Sequence, residues 1–600
     1  MPRLLAGGCR RPDFALIQWG SRIKTEANNK PRFLEALKGI ASKLNNTDWD
    51  FSVDPCSRSG DWFNSTGFLM SNVTCDCSYN NHTECHIISL ELMRLNLSGV
   101  LPDEVVNLTY LQNLDLSRNF IQGPIPASWA DLPVFNLSLQ GNRISGTLPK
   151  ELGRMPKLKS IQLEGNQIEG PIPPELGNII TLERFFISAN NITGELPSTF
   201  SRLTNMTDFR VDGNNISGKI PSFIKNWQGV NRIDMQGTSM SGPIPPEISL
   251  LKNLTELVLR NCSIYGEIPS YLGQMLYLKV LDISFNKLTG QVPANFGAMI
   301  ALQYLYLTDN MLTGALPPWM LKNKASNKVN MDISYNNFTG NPPSECQQAN
   351  VLQPCLRKNL PCTTKPGHSS LFINCGGKRV AVNGDTYEDD SFQIGTSTFS
   401  LSDDKKWAYS STGDFVGNEN ADYIARNASQ LTMAYPDLYT EARLSPLSLK
   451  YYGLCMENGE YTVKLHFAEI VFTDDHTYAS NGKRVFDVFI QGVKVLADFD
   501  IRNEAGGVHR PIIKDFPTSI TDNTLEIHFY WGGKGTTAIP YRGVYGPLIS
   551  AISVTQTRRD HDGLSTGVVI AIVIAAACLA IILMIAFYFK VFPRKNVKGN

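Results

Sequence analysis

The chain has no net charge: 55 lysines and arginines balance 55 aspartates and glutamates over 600 residues. That excludes the basic footprint on which nucleic-acid binding depends. The cysteines do not form zinc sites either. Cys75-x-Cys77 is tighter than the usual two- to four-residue ligand gap, and no histidine pair accompanies it. Kinase chemistry is missing as well, since no Gly-rich phosphate loop, Val-Ala-Ile-Lys, His-Arg-Asp or Asp-Phe-Gly motif occurs. Gly532-Gly533-Lys534-Gly535-Thr536-Thr537 lacks Walker spacing and reads as a turn between strands. With no nucleophile, carboxylate pair or metal cluster set out for catalysis, the chain is read as a non-enzyme needing no cofactor. The 34 prolines and 47 glycines are spaced evenly along it, which excludes a low-complexity tail.

A chain of this length exceeds one core, so boundaries come first. Fourteen Asn-x-Ser/Thr sequons place it in the secretory pathway: Asn64, Asn72, Asn81, Asn96, Asn107, Asn136, Asn191, Asn205, Asn215, Asn253, Asn337 and Asn427, with Asn45 and Asn261. All precede residues 567–589, an uncharged stretch of 23 positions. At 1.5 Å per residue such a helix crosses about 30 Å of hydrocarbon. Lys590, Arg594, Lys595 and Lys598 follow it and put the C-terminus in the cytoplasm, a type I topology at the plasma membrane. Gly567, Ala571 and Ala575 lie four apart on that helix, as small-residue dimer faces do. Residues 1–30 form an atypical N-terminus. Their best apolar stretch, Phe14 to Gly20, is short and contains Gln18, so these residues read as a faulty gene start in preference to a cryptic export signal.

Between these ends runs a repeat. Glycines 99, 123, 146, 170, 194, 218, 242, 266, 290, 314 and 340 recur every 24 residues, with one step of 23 and one of 26. A proline follows three residues later, and an asparagine stands four before, as at Asn119, Asn142 and Asn286; Leu95, Thr238 and Cys262 replace it in three turns. In Leu111-x-x-Leu114-x-Leu116-x-x-Asn119 the alternating leucines make a short strand with one layer of core. The asparagine amide can bond backbone groups where the chain turns inward. No single turn buries its own face, so the unit of stability is the stack.

This pattern resembles the plant-type extracellular leucine-rich repeat, marked by its Gly-x-Ile-Pro step, over residues 87–343 in about 11 repeats. Trp49, Phe51, Asp54-Pro55-Cys56 and Trp62 resemble its N-terminal cap, here residues 31–86, with Cys75, Cys77 and Cys85 as further disulfide candidates whose pairing stays open. Among the outward strand positions Phe186, Val258 and Tyr306, with Arg210 and Arg260, form a candidate ligand stripe.

After a C-terminal cap and linker (344–368), the period gives way at 369–554 to short alternating strands such as Tyr461–Phe467 and Leu525–Tyr530, the pattern of a β-sandwich. Cys375 and Cys455 are expected to pair within it. The runs Ile373-Asn374-Cys375-Gly376-Gly377, Leu465-His466-Phe467-Ala468-Glu469-Ile470 and Val544-Tyr545-Gly546-Pro547 resemble the malectin domain, which binds a glucose disaccharide through loop aromatics and an aspartate. Here Phe472 persists, whereas Leu444 and Tyr545 stand where that resemblance implies a tyrosine and the aspartate. Tyr439, Tyr451, Tyr452, Phe472 and Tyr541 are the candidate exposed aromatics.

The expected fold is an α/β leucine-rich-repeat solenoid, an all-β malectin-like sandwich, a juxtamembrane segment (555–566), one transmembrane helix (567–589) and a short tail (590–600). This order resembles a family of plant receptor-like serine/threonine kinases. The resemblance implies an extracellular peptide, glycan or cell-wall fragment as ligand and a co-receptor or homodimer in the membrane. ATP is a partner only if a kinase domain follows, and nucleic acid is not one. The competing reading is a kinase-less adhesion, decoy or co-receptor protein.

Overall fold

The computed structural model describes residues 32–58, 60–64, 69–82, 84–321, 329–339, 360, 362, 365–392, 397–413, 415, 421–427, 435–475, 477–537, 539–540, 543–557 and 566–591. The N-terminus before residue 32, Cys346, Cys355, Tyr541 and the basic tail beyond residue 591 lie outside the described residues.

An amphipathic helix, Arg32–Lys43, caps the solenoid by burying Leu37, Ile40 and Ala41 on the first turn. The two-residue strand Phe63–Asn64 and an antiparallel hairpin, Met70–Tyr79 with Glu84–Met93, begin the main sheet. Each later repeat adds one three-residue parallel strand, from Asn113–Asp115 to Asn330–Asp332, completing a 13-stranded sheet. The proline of each repeat opens a one-turn 3-10 helix on the far side, such as Pro174–Asn178 or Ser270–Gln274. The helical half of the expected α/β solenoid therefore consists largely of these short turns.

The asparagine ladder shows why the period is strict. Asn119 Oδ1 accepts from the amides of Leu95 (3.0 Å) and Leu97 (3.1 Å), and its Nδ2 donates to the carbonyls of Leu92 (2.7 Å) and Leu116 (2.9 Å). One buried side chain thus satisfies backbone groups of two neighbouring turns. Where asparagine is replaced, Thr238 Oγ1 (2.8 Å) and Cys262 Sγ (3.1 Å) both donate to the Met235 carbonyl. Each retains a donor to the ladder and gives up the longer reach of the amide.

The second module is a sandwich of two six-stranded sheets. One contains Ser370–Asn374, Gly459–Ala468, Pro511–Ile520 and Ala551–Gln556; the other contains Trp407–Thr412, Ser448–Leu454, Thr524–Tyr530 and Phe486–Ile490. Leu465, Phe467, Val488, Phe529 and Ile552 fill the space between them. The helix Thr566–Val591 ends the described chain, and its residues Ile570–Tyr588 are long and apolar enough to cross a membrane.

Disulfides join Cys56 to Cys75 and Cys77 to Cys85 in the cap. The expected pairing of Cys375 with Cys455 is corrected: Cys455 bonds Cys362, and Cys375 is a buried thiol. The Gly367 amide donates to the Cys455 carbonyl (3.1 Å), which lays the linker beside the strand end that carries Cys455. Cys375 instead follows the strand Ser370–Asn374 into the core beside Tyr451 and Asp390.

Candidate functional site

The two modules are docked along the solenoid's flank. The residue just before each ladder position from Asn119 to Asn336 forms a column: Arg118, Gly141, Gly165, Ala189, Gly213, Gly237, Asn261, Phe285, Asp309 and Tyr335. All ten have left-handed backbone conformations, with φ from 52° at Asn261 to 70° at Gly141. The turn itself accepts side chains there, as Phe285 and Tyr335 show, so the glycines answer to something else.

Gly213 and Gly237 answer to the glycine-rich turn between sandwich strands. A Cβ on Gly237 would lie 1.8 Å from the Gly532 carbonyl oxygen, and one on Gly213 2.4 Å from that of Gly533. The next column residue, Asn261, donates Nδ2 to the Gly532 carbonyl at 3.2 Å. Toward the N-terminal cap, Asn481 donates to the Asn119 carbonyl (2.7 Å) and accepts from Arg143 Nε (2.8 Å), while the Arg94 guanidinium lies over Tyr478 at 4.9 Å. At the other end Tyr335 donates to Ser410 (2.6 Å), accepts from Tyr452 (3.0 Å) and carries Lys450 over its ring at 3.7 Å. Docking therefore runs the length of the array.

This arrangement corrects the candidate stripe. Phe186, Val258, Tyr306 and Arg260 are all buried. The Arg210 guanidinium covers Phe186 at 4.4 Å and is itself held by Asp208 (2.9 Å). Arg260 pairs with Asp282 at 3.0 Å and faces Trp531 of the sandwich at 5.1 Å. The stripe is spent on contacts within the chain.

The sandwich aromatics are corrected likewise, because strand alternation sends neighbours to opposite faces. Tyr451 points into the core and donates to Asp390 at 2.6 Å, whereas its neighbour Tyr452 points out onto Tyr335. Tyr439 is buried against His466 (3.1 Å), and Phe472 is buried beneath the Arg484 guanidinium (5.2 Å). Sequence reasoning missed the docking surface. Its signal was the pair of column glycines at 213 and 237, facing a turn that is also rich in glycine.

Docking leaves a cleft of about 1100 Å³ between the modules, near the Cys362–Cys455 link. The solenoid supplies Phe285 and Asp309, and the sandwich supplies Phe489, Glu526, His528 and Tyr530. The Phe285 and Tyr530 ring centres lie 4.5 Å apart. Among the described residues no group of three His, Cys, Asp or Glu is set out to hold a metal.

The strand face is acidic where it is buried. Burial pushes Glu164 up to about 8 and Asp212 up to about 7, the latter with Asp234 adding to the rise. One Glu164 carboxylate oxygen has no hydrogen-bond partner among the described residues. The folded chain therefore holds a proton there that the unfolded chain releases near 4.5, so stability falls as pH rises from about 4.5 through about 8. Denaturant unfolding of the full chain in detergent should show higher stability at the acidic end of that window. Glu164→Gln should flatten the slope, and an unchanged slope would refute the assignment.

The malectin-domain family model matches residues 369–552. Leucine-rich-repeat models match residues 252–312 and also 110–132, 157–179 and 181–203. A probable LRR receptor-like serine/threonine-protein kinase of Arabidopsis thaliana is 45% identical over 97% of this chain and 63% of its own length. A second such kinase from the same plant is 44% identical over 87% of this chain and 55% of its own. The chain thus spans somewhat more than half the length of these two relatives. Among solved structures, the LRR ectodomain of the Arabidopsis thaliana receptor kinase GASSHO1/SCHENGEN3, in complex with CASPARIAN STRIP INTEGRITY FACTOR 2, is 28% identical. That likeness covers 53% of this chain and 37% of the other, with a TM-score of 0.47.

Proposed function

Because this chain carries leucine-rich repeats and a malectin domain and is related to the LRR receptor-like serine/threonine-protein kinases, we propose that it is the ligand-sensing, extracellular part of a single-pass membrane receptor. The observation that carries this reading is the docking of one recognition module along the other, followed by the one apolar, membrane-length helix among the described residues. Two modules that hold each other can present one binding surface and move as one body, which is what a receptor needs outside the membrane. Lys590 and the basic residues after it support a cytoplasmic C-terminus at the plasma membrane, with the sequon-bearing modules outside. The ligand is an extracellular peptide or carbohydrate.

One helix transmits little by itself, so the signal is ligand-dependent pairing with a second copy or a co-receptor. The test is analytical ultracentrifugation of the full chain in detergent micelles, with hits drawn from a peptide library and a glycan array. A ligand that raises the associated fraction about tenfold is expected. A chain that binds nothing in either collection, or stays monomeric with each hit and partner, would rule the reading out.

A further inference from the structure

We propose that the inter-module cleft binds a peptide segment carrying an arginine, whose guanidinium stacks on an aromatic shelf while Asp309 meets its charge. The inference rests on the receptor reading and names the class of ligand.

The shelf is built from both modules. The Phe489 and His528 rings stack at 5.6 Å with planes 26° apart, and His528 stacks on Phe285 of the solenoid at 6.4 Å and 24°. Tyr530 extends it beyond Phe285. A cation over such ring faces gains electrostatic energy, and a planar guanidinium stacks where an ammonium cannot.

The charges in the cleft do not balance. Lys450 is committed to Glu526 at 3.1 Å and to the Tyr335 ring. His528 does not add a positive charge, since burial and then Lys450 hold its pKa well below the ordinary value. Its Nε2 lies 2.8 Å from Ser448 Oγ. Asp309 and Asp522 also line the cleft, and among the described residues neither has an ion-pair partner. Asp309 adjoins the shelf, since its charge acts on the Tyr530 hydroxyl, and an uncompensated carboxylate beside aromatic faces favours a cation over a neutral sugar, which would stack without using it.

A separate observation points into the same space. Tyr530 is 6% exposed, lines the cleft, and its hydroxyl has no hydrogen-bond partner among the described residues. A buried hydroxyl left unpaired costs about 1–3 kcal/mol. A backbone carbonyl of a bound peptide would accept its proton.

The experiment titrates the full chain in detergent micelles with N-acetyl-Gly-Arg-Gly-amide and with the same peptide carrying citrulline, which keeps the shape and loses the charge. Saturation-transfer NMR is expected to show the arginine peptide bound and the citrulline peptide at least about tenfold weaker. Asp309→Asn should weaken binding several-fold, and Tyr530→Phe should do so without lowering Tm. The proposal is overturned if the arginine peptide does not bind at about 10 mM, if citrulline binds equally, or if the variants bind like the parent. It is equally overturned if maltohexaose binds and is lost in the same variants, which would make the cleft a sugar site. Pairing driven by some other ligand and intact in Asp309→Asn would sink the cleft assignment alone, whereas absence of pairing with every ligand sinks only the receptor reading.

Discussion

Gly213→Ala with Gly237→Ala is expected to pry the sandwich from the solenoid while leaving the repeats folded. Each substitution adds one carbon, and that carbon would sit 2.4 Å from the Gly533 carbonyl oxygen at position 213 and 1.8 Å from that of Gly532 at 237. Neither distance is tolerable, and the obstacle is backbone, so the loop must withdraw. Overpacking of this kind costs about 1–3 kcal/mol per site. Left-handed backbone adds about 1–2 kcal/mol for an alanine, yet Ala189 already occupies the same column at φ 54°, so the turn bears it. Gly165→Ala is the control, because it carries the same backbone cost while its Cβ would meet Thr536 Cγ2 at an ordinary 3.6 Å. Small-angle scattering of the full chain in micelles should show a larger radius of gyration for the double variant. Amide exchange across Gly532–Thr536 should quicken at least about tenfold, the equivalent of 1.4 kcal/mol. Equal behaviour of the double variant and the control would mean that the glycines serve the turn and not the docking.

The second large effect lies inside the sandwich. Asp390 and Arg443 are wholly buried and paired at 2.8 Å. Arg443 also donates to the Phe392 carbonyl (3.0 Å) and lies over the Tyr409 ring (5.0 Å). Asp390 further accepts from Tyr451 (2.6 Å) and from the Gly376 amide (3.0 Å). Arg443→Met leaves that carboxylate uncompensated in the core, and breaking a buried pair from one side costs about 3–5 kcal/mol. A melting point lower by about 10 °C is expected for a module of this size. Adding Asp390→Asn should recover part of the loss, because the stranded charge goes with it. If the double variant were no better than Arg443→Met, the cost would lie in lost packing instead.

The solenoid was legible because every turn buries the same positions. Leu114, Leu137 and Ile161 recur in the core at one offset, and Asn119, Asn142 and Asn166 bond backbone at another. The sandwich was legible as alternating strands, and as a resemblance along its runs. What did not show was which face of each strand met what. Tyr451 and Tyr452 are adjacent and chemically identical, yet one serves the core and the other the solenoid. The stripe residues Phe186 and Arg260 looked free because their partners, Arg210 and Trp531, come from a neighbouring strand and from a different module. Cys362 was missed as the partner of Cys455 because it precedes the first strand of the sandwich. A repeat writes its own period into the sequence; a contact between modules leaves only complementary small residues.

Docking along the whole flank also bears on how such a protein can change over generations. A free solenoid tolerates the gain or loss of a turn, since each repeat touches only its neighbours. Here the first turns meet the sandwich at Tyr478 and Asn481, the middle at Gly532 and Gly533, and the last at Ser410 and Tyr452. Removing one 24-residue unit would shift one end of that seam by a full strand spacing, about 4.8 Å, and no hydrogen bond spans such a gap. The number of repeats is thus held fixed by a ruler outside the array.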